Sequence, residues 1–123
     1  MNRSNPNILI VEDEDISRRA LAMLLSASGF ETEAVDSGEK ALDVLAEGRV
    51  PRAALIDLDL PGMSGEELLR QIVRKSPSIL PVLITAADRE RIDALRQDHQ
   101  VQCIRKPVDI QGLLSMLGRY LAN

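Results

Sequence analysis

The sequence contains few of the residues that mark several classes of protein. Its one cysteine, Cys103, cannot form an internal disulfide or a cysteine-rich metal site, which agrees with a reducing compartment. Aromatic residues make up 2% of the chain, so there is little surface for stacking on bases or on a flavin ring. Apolar runs are short, and none could span a bilayer or form the core of a signal peptide. We therefore expect a cytoplasmic protein with no membrane-spanning segment.

An excess of basic charge is also absent. The 123 residues carry a formal net charge of −4, which argues against broad affinity for nucleic-acid phosphates, and we expect no direct contact with nucleic acid. Hydrophobic residues make up 45% and charged residues 28%, as in a soluble globular domain. No linker-like stretch divides the chain, so we expect a single domain over residues 1–123 with a core from about 8 to 121.

Short β-branched runs alternate with longer stretches of helical period, and this alternation is typical of a parallel sheet flanked by helices. The expected fold is α/β, a doubly wound (βα)5 arrangement with a five-stranded parallel sheet in the flavodoxin-like order 2-1-3-4-5. The first and third strands are the most apolar and should be central. The predicted strands are Ile8–Val11, Thr32–Val35, Ala53–Ile56, Val82–Thr85 and Val101–Ile104.

Apolar stripes of helical period identify the helix faces that should lie on the sheet. The first helix should end at Gly29, where a left-handed cap is needed. Its predicted inner stripe consists of Ile16, Ala20, Leu21, Leu24 and Leu25. The third helix should begin at Ser64, with Glu67 as its capping-box partner. Its predicted inner stripe consists of Leu68, Leu69, Ile72 and Val73.

The other helices differ in how strongly they are signalled. Asp36, with Glu39 three residues later, has the spacing of a capping box and should begin the second helix. The fifth should follow Pro107. The fourth, between Asp88 and about Gln97, has only two large apolar residues, so we expect it to be loosely held.

Polar residues lie at or just after the ends of the predicted strands, at the edge where parallel sheets bind ligands. They are Glu12, Asp13, Asp57, Asp59, Thr85 and Lys106. Several carboxylates in one cleft stay ionised only beside a cation or hydrogen-bond donors. A few oxygen ligands, with room for water and phosphate, favour magnesium over zinc or a caged calcium ion. Lys106 can meet a phosphate oxygen and Thr85 can donate a hydrogen bond to another, so the edge should bind both magnesium and phosphate.

Four segments taken together are similar to the receiver domains of bacterial response regulators: ILIVEDED, ALIDLDLPGMSGEELL, VLITA and IRKPVD. The similarity runs from Ile8 to Leu121. It implies a two-component phosphorelay switch that accepts a phosphoryl group on Asp57, with magnesium, from a sensor histidine kinase or phosphotransfer protein. The switch would then alter a protein-interaction surface for a downstream protein that the sequence does not identify. Catalysis would be limited to the chain's own phosphorylation and dephosphorylation.

The resemblance also implies individual roles at the metal. Asp57 would be the phosphoacceptor. It would bind magnesium together with Asp13 and with Glu12, which would hold the ion directly or through water. Asp59 would lend its backbone carbonyl to the same ion.

Further roles concern the switch. Thr85 would be the switch hydroxyl, Lys106 its charge partner, and the Lys106–Pro107 peptide bond would be cis. The chain departs from the family pattern at Cys103, where an aromatic switch residue is usual, and at Val108, where Phe is common. Between Thr85 and Lys106 there is one residue fewer than expected. A segment of Asp, His and Gln at 98–100 also replaces a Gly-Ala pair, and we expect its histidine to lie in a surface loop.

Three other interpretations share some of these features. The spacing of Asp57 and Asp59 suits a haloacid-dehalogenase-like phosphatase, but the chain has no room for the cap of those enzymes. A flavodoxin-like electron carrier would need a phosphate-cradling first loop, and the acidic residues there would repel a phosphate. A receiver-like binding module that never turns over phosphate stays open, because Cys103 removes the usual aromatic switch.

Overall fold

The structure, a computed structural model, describes residues 7–121, and the rest of the predicted domain, positions 1–6 and 122–123, lies outside the described residues. Strands and helices alternate, five of each, along this part of the chain. The strands are β1 (Ile8–Val11), β2 (Thr32–Val35), β3 (Ala53–Asp57), β4 (Leu80–Thr85) and β5 (Gln102–Arg105). The helices are α1 (Asp15–Ala27), α2 (Gly38–Ala46), α3 (Gly65–Lys75), α4 (Arg89–His99) and α5 (Ile110–Leu121).

All strand pairs are parallel, and the sheet order is β2-β1-β3-β4-β5, as predicted. Every residue of β1 and β3 is buried, which agrees with their apolar sequences and interior positions. Because side chains alternate between the two faces of a strand, the core has two halves. Ile8 and Ile10 point toward the α1 and α5 side, whereas Leu9 and Val11 point toward α2, α3 and α4.

Two predicted inner stripes are partly wrong. Only Leu21 and Leu25 of the α1 stripe are buried, while Ile16 is 76% exposed and Leu24 is 42% exposed. In α3 the last predicted member, Val73, is 49% exposed. The sequence period shows which side chains share a helix face, but the arc that contacts the sheet is narrower than the apolar stripe.

Several predicted boundaries also need correction. Strands β3 and β5 each end one residue later than predicted, and β4 begins two residues earlier, at Leu80. Ser37, and not Asp36, caps α2 by accepting a hydrogen bond from the Lys40 amide, while Asp36 forms an ion pair with the Lys40 ammonium. Helix α4 extends two residues past the predicted end, to His99. The ladder of β5 begins one residue late, at Gln102, because pairing with β4 sets its register.

None of the helices between residues 7 and 121 combines the length and the apolar character that crossing a bilayer would need.

Candidate functional site

The parallel register brings the carboxyl ends of β1, β3, β4 and β5 to one edge of the sheet. Val11 is the register partner of Ile56, so Glu12 and Asp57 leave neighbouring strands side by side. Thr85, at the end of β4, pairs with Arg105, at the end of β5, so Lys106 leaves β5 beside the end of β4. The position of the candidate site therefore follows from strand order and register, as in other open parallel sheets.

Three carboxylates form the centre of this site. Oxygens of Glu12, Asp13 and Asp57 all lie within 4.8 Å of one another. Glu12 is 3% exposed and Asp57 is 4% exposed, whereas Asp13 is exposed. Two buried acids and one accessible acid make a pocket of concentrated negative charge that is open on one side.

Lys106 is the cation that faces this negative charge. Its Nζ lies 3.2 Å from Glu12 Oε1 and 3.3 Å from Asp57 Oδ2. Burial by itself would lower the pKa of the Lys106 ammonium, but the charge of Asp57 and the contact with Glu12 outweigh it and raise that pKa. Lys106 therefore stays protonated and holds one oxygen of each buried acid.

One lysine does not compensate all of the negative charge. Burial, reinforced by the neighbouring Asp57 carboxyl, raises the pKa of Glu12 to about 7. This shift means that the site without a metal favours holding a proton on Glu12 near neutral pH. Crowded oxygen donors that lack enough positive charge are what a hard divalent cation such as Mg²⁺ requires, so these residues fit that ion.

A backbone amide in the loop that follows Asp57 holds the Asp57 carboxylate. The amide of Asp59 donates to Asp57 Oδ1 at 3.1 Å, so the other oxygen is the one that faces Lys106. The loop returns closely at Gly65, whose amide donates to the Leu58 carbonyl at 3.1 Å. A Cβ at Gly65 would lie 2.4 Å from the Asp57 carbonyl oxygen, so a larger residue would displace the Asp57 backbone. Sequence analysis missed this role, although Gly65 follows the predicted cap Ser64.

Thr85 is fully buried at the end of β4. Its hydroxyl oxygen accepts a hydrogen bond from the Ala87 amide at 3.0 Å, and its carbonyl accepts one from the Lys106 amide at 2.8 Å. The hydroxyl proton takes no part in the bond to Ala87. Thr85 thus connects the Lys106 loop with the segment that leads into α4.

Arg18 is a second residue that sequence analysis missed. One guanidinium nitrogen lies 3.2 Å from the Glu12 carbonyl and 3.4 Å from the Asp13 carbonyl, and another contacts Asp15. The side chain therefore braces the backbone that carries two of the three carboxylates. The sequence gives no signal that Arg18 differs from its neighbour Arg19, because the partners that distinguish it are backbone carbonyl groups.

Two other residues singled out from the sequence lie apart from the carboxylates. Cys103 is buried in β5 among the apolar residues on the α2, α3 and α4 side, and burial raises the pKa of its thiol. Pro107 follows Lys106 through a cis peptide bond. The structure thus brings Glu12, Asp13, Asp57 and Lys106 together, places Asp59 and Thr85 beside them, and leaves Cys103 in the core.

His99 is not the surface-loop residue that we expected. It is the last residue of α4, its side chain is 16% exposed, and its Nε2 lies 3.1 Å from Glu66 Oε2. Because the partner carboxylate is 33 residues away, on α3, no local pattern could have indicated this contact.

A family model described as the response regulator receiver domain matches residues 8–118. A response regulator receiver domain protein (CheY-like) from Methanospirillum hungatei, solved by crystallography, superposes with a TM-score of 0.85 at 26% identity, covering 96% of this chain and 94% of that one.

Two curated relatives differ in length. The two-component response regulator ORR11 of rice, Oryza sativa, is 31% identical over 121 residues, which are 94% of this chain and 81% of that protein. A cyclic di-GMP phosphodiesterase of Thermotoga maritima is 36% identical over 121 residues, again 94% of this chain. The chain spans only 31% of that protein's length.

Proposed function

The chain belongs to the response regulator receiver family of two-component signalling, and on that basis we propose that Asp57 is its phosphoacceptor in a magnesium-dependent transfer. The observation that carries this proposal is the environment of the Asp57 carboxylate. It is buried at a strand end, held at Oδ1 by an amide, and presents Oδ2 to Lys106. Asp13 is exposed, and the Glu12 pKa of about 7 leaves that acid half protonated near neutral pH.

The chemistry follows from these positions. With a phosphohistidine as donor, an Asp57 oxygen forms a bond to phosphorus while the bond between phosphorus and the histidine nitrogen breaks. The electron pair of that bond stays on the leaving imidazole. An acyl phosphate would react in the same way, with a carboxylate as leaving group. Lys106 offsets the charge that develops on the phosphoryl oxygens, and the Thr85 hydroxyl proton is available to one of them. The chain would therefore catalyse only its own phosphorylation and the later hydrolysis.

Magnesium would be held by Glu12, Asp13 and Asp57, with the Asp59 carbonyl as a further oxygen ligand. When bound, the ion supplies positive charge that neutralises the phosphoryl oxygens and the crowded carboxylates. Lys106 and the Asp59 amide hold the Asp57 carboxylate in place independently of the ion.

Intact mass spectrometry tests this proposal. Incubation with acetyl phosphate and magnesium should add one phosphoryl group, and chelation of the metal should prevent the addition. Asp57→Asn should abolish uptake, because an amide is a poor nucleophile, while its similar shape preserves the fold. If wild-type protein takes up nothing under any condition, the chain is a receiver-like binding module. If Asp57→Asn is labelled at the wild-type rate, the phosphoacceptor is another residue.

The proposed donor is the phosphohistidine of a sensor kinase or phosphotransfer protein, and the surface of α1 supports a protein donor. Ile16 and Met23 are 76% and 70% exposed, although both are large and apolar. Beside them an apolar groove of about 280 Å³ runs past Leu24 and reaches Glu12 and Lys106. A partner that covered this surface would bring its histidine to the carboxylates.

Two donors separate docking from chemistry. Ile16→Ser should slow transfer from a phosphorylated histidine phosphotransfer protein about tenfold, because one apolar anchor is lost. Transfer from acetyl phosphate should not change. Val73→Ser is the matched control, since Val73 is also exposed but lies on α3. Equal slowing with both donors would mean that Ile16 acts on the site and not on docking.

A further inference from the structure

Helix α4 is attached to the rest of the chain largely by polar contacts. Only Ile92 and Leu95 of this helix are buried. Arg96 donates to the Cys103 carbonyl at 3.0 Å, and both Arg91, in the first turn, and His99, at the end, contact Glu66 of α3. One carboxylate therefore holds α4 near both of its ends.

Glu66 is well compensated in this position. Arg91 binds its Oε1, and His99 lies 3.1 Å and Arg70 3.6 Å from its Oε2. The hydrogen bond with His99, together with the charge of Arg91, lowers the pKa of the Glu66 carboxyl. Its side chain is 24% exposed, so solvent screens these contacts only in part.

Glu66 is also connected to the loop of residues 58–64 that follows Asp57, the phosphorylation loop. It follows Gly65, whose backbone packs directly against the Asp57 carbonyl and Leu58. On the solvent side, Glu66 and Arg91 line a cleft of about 540 Å³ together with Asp59 and Thr85. The same contact therefore borders the site and anchors α4.

We propose that Glu66 is a coupling residue that ties α4 to the phosphorylation loop, and that phosphorylation loosens α4 by weakening the contact between Glu66 and Arg91. This proposal rests on the proposed function of Asp57. A phosphoryl group on Asp57 adds about −1.5 to −2 charge at neutral pH next to Asp59, which lines the cleft, and this charge competes with Glu66 for the Arg91 guanidinium. Since α4 buries only two large side chains, the loss of one ionic contact is enough to change its attachment.

Hydrogen exchange measured by mass spectrometry tests the proposal in free and beryllofluoride-bound protein. In wild type, exchange over residues 89–99 should rise about fivefold when the phosphoryl mimic binds. Glu66→Gln should show this faster exchange already in the free state and change less than about twofold on binding. Glu67→Gln is the matched control, because Glu67 has the same charge in the same helical turn but contacts only α3 residues through its side chain. It should behave as wild type.

A second variant tests whether the Glu66→Gln result is caused by misfolding. Arg91→Gln removes the contact from the α4 side and should reproduce the Glu66→Gln result while exchange in the strands stays unchanged. If α4 responds in both variants as it does in wild type, Glu66 is not a coupling residue. Intact mass after acetyl phosphate treatment distinguishes failure of the coupling proposal from failure of the proposed function of Asp57. Normal uptake with a wild-type α4 response in the variants overturns only the coupling, whereas absence of uptake in wild type overturns the function of Asp57 as well.

Discussion

Two clusters of charged side chains in residues 7–121 have opposite charge balance. At the strand ends, two buried acids and Asp13 face one lysine, and the pKa of Glu12 is raised by burial and by its neighbour Asp57. Between α3 and α4, Glu66 faces two arginines and the His99 ring, and the pKa of the Glu66 carboxyl is lowered, chiefly by the hydrogen bond with His99. The first cluster has too little positive charge for its three carboxylates and is suited to bind a cation. The second is already compensated and is suited to hold two helices together.

Removal of Lys106 should have the largest effect, because it deletes the cation that faces Asp57. Lys106→Ala should slow phosphoryl uptake from acetyl phosphate about 10² to 10³-fold at saturating magnesium. Quenched time courses followed by intact mass would measure the rate. Lys75→Ala is the control, since Lys75 lies exposed at the end of α3. An unchanged rate in Lys106→Ala would show that the cation has no part in the transfer.

The charge imbalance predicts a pH dependence of stability. Glu12 has an ordinary pKa of 4.5 when unfolded and about 7 when folded, so the folded state binds more protons between these values. Without metal, the free energy of unfolding should therefore fall by roughly 2 to 3 kcal/mol as pH rises from about 4.5 to 7. Urea unfolding followed by circular dichroism suits a chain that lacks tryptophan. Glu12→Gln should flatten the curve in this window. A wild-type slope that survives this substitution would assign the titration to another group.

Asp13→Asn tests the accessible member of the same cluster. Loss of one charged ligand should weaken magnesium binding about tenfold or more. Titration calorimetry measures the affinity directly, and Asp15→Asn, at the first residue of α1, provides a nearby acidic control. If both variants bind magnesium with wild-type affinity, Asp13 is not a ligand.

The smallest effect is expected at the compensated cluster. A double-mutant cycle of Glu66→Gln and His99→Gln should give a coupling energy below about 1 kcal/mol in global stability, because both side chains are partly exposed. Local exchange of α4 should respond more than the global unfolding transition. A coupling energy of several kcal/mol would make this contact part of the core and not a local attachment.

The strands and the polar residues at their ends could be predicted from the sequence because each has a local signal. A buried strand is a short β-branched run, and an acid directly after such a run, like Asp57, has few purely structural explanations. The parallel order then places residues from distant parts of the chain at one edge. Thr85 and Lys106 were found by this reasoning, although each would pass for an ordinary residue alone.

Other features depend on contacts that the sequence does not encode locally. The contact between Glu66 and His99 joins polar residues of different helices, and neither belongs to an apolar period. The spacing of Ile16 fits an apolar stripe and therefore predicts a core position. Spacing alone does not show whether the sheet or a partner protein covers such a residue. Cys103 is a small side chain buried among apolar residues, and it does not indicate a path by which phosphorylation would change the conformation.

Asp57, among several clustered acids, is the residue proposed to receive the phosphoryl group. Borohydride reduces an acyl phosphate to an alcohol, so reduction after treatment with acetyl phosphate and magnesium leaves homoserine at the modified residue. Trypsin should release residues 53–70 as one peptide, and its fragment ions separate position 57 from Asp59. Homoserine is expected at position 57 alone. Homoserine at Asp13 or Asp59, with position 57 unmodified, would contradict this proposal.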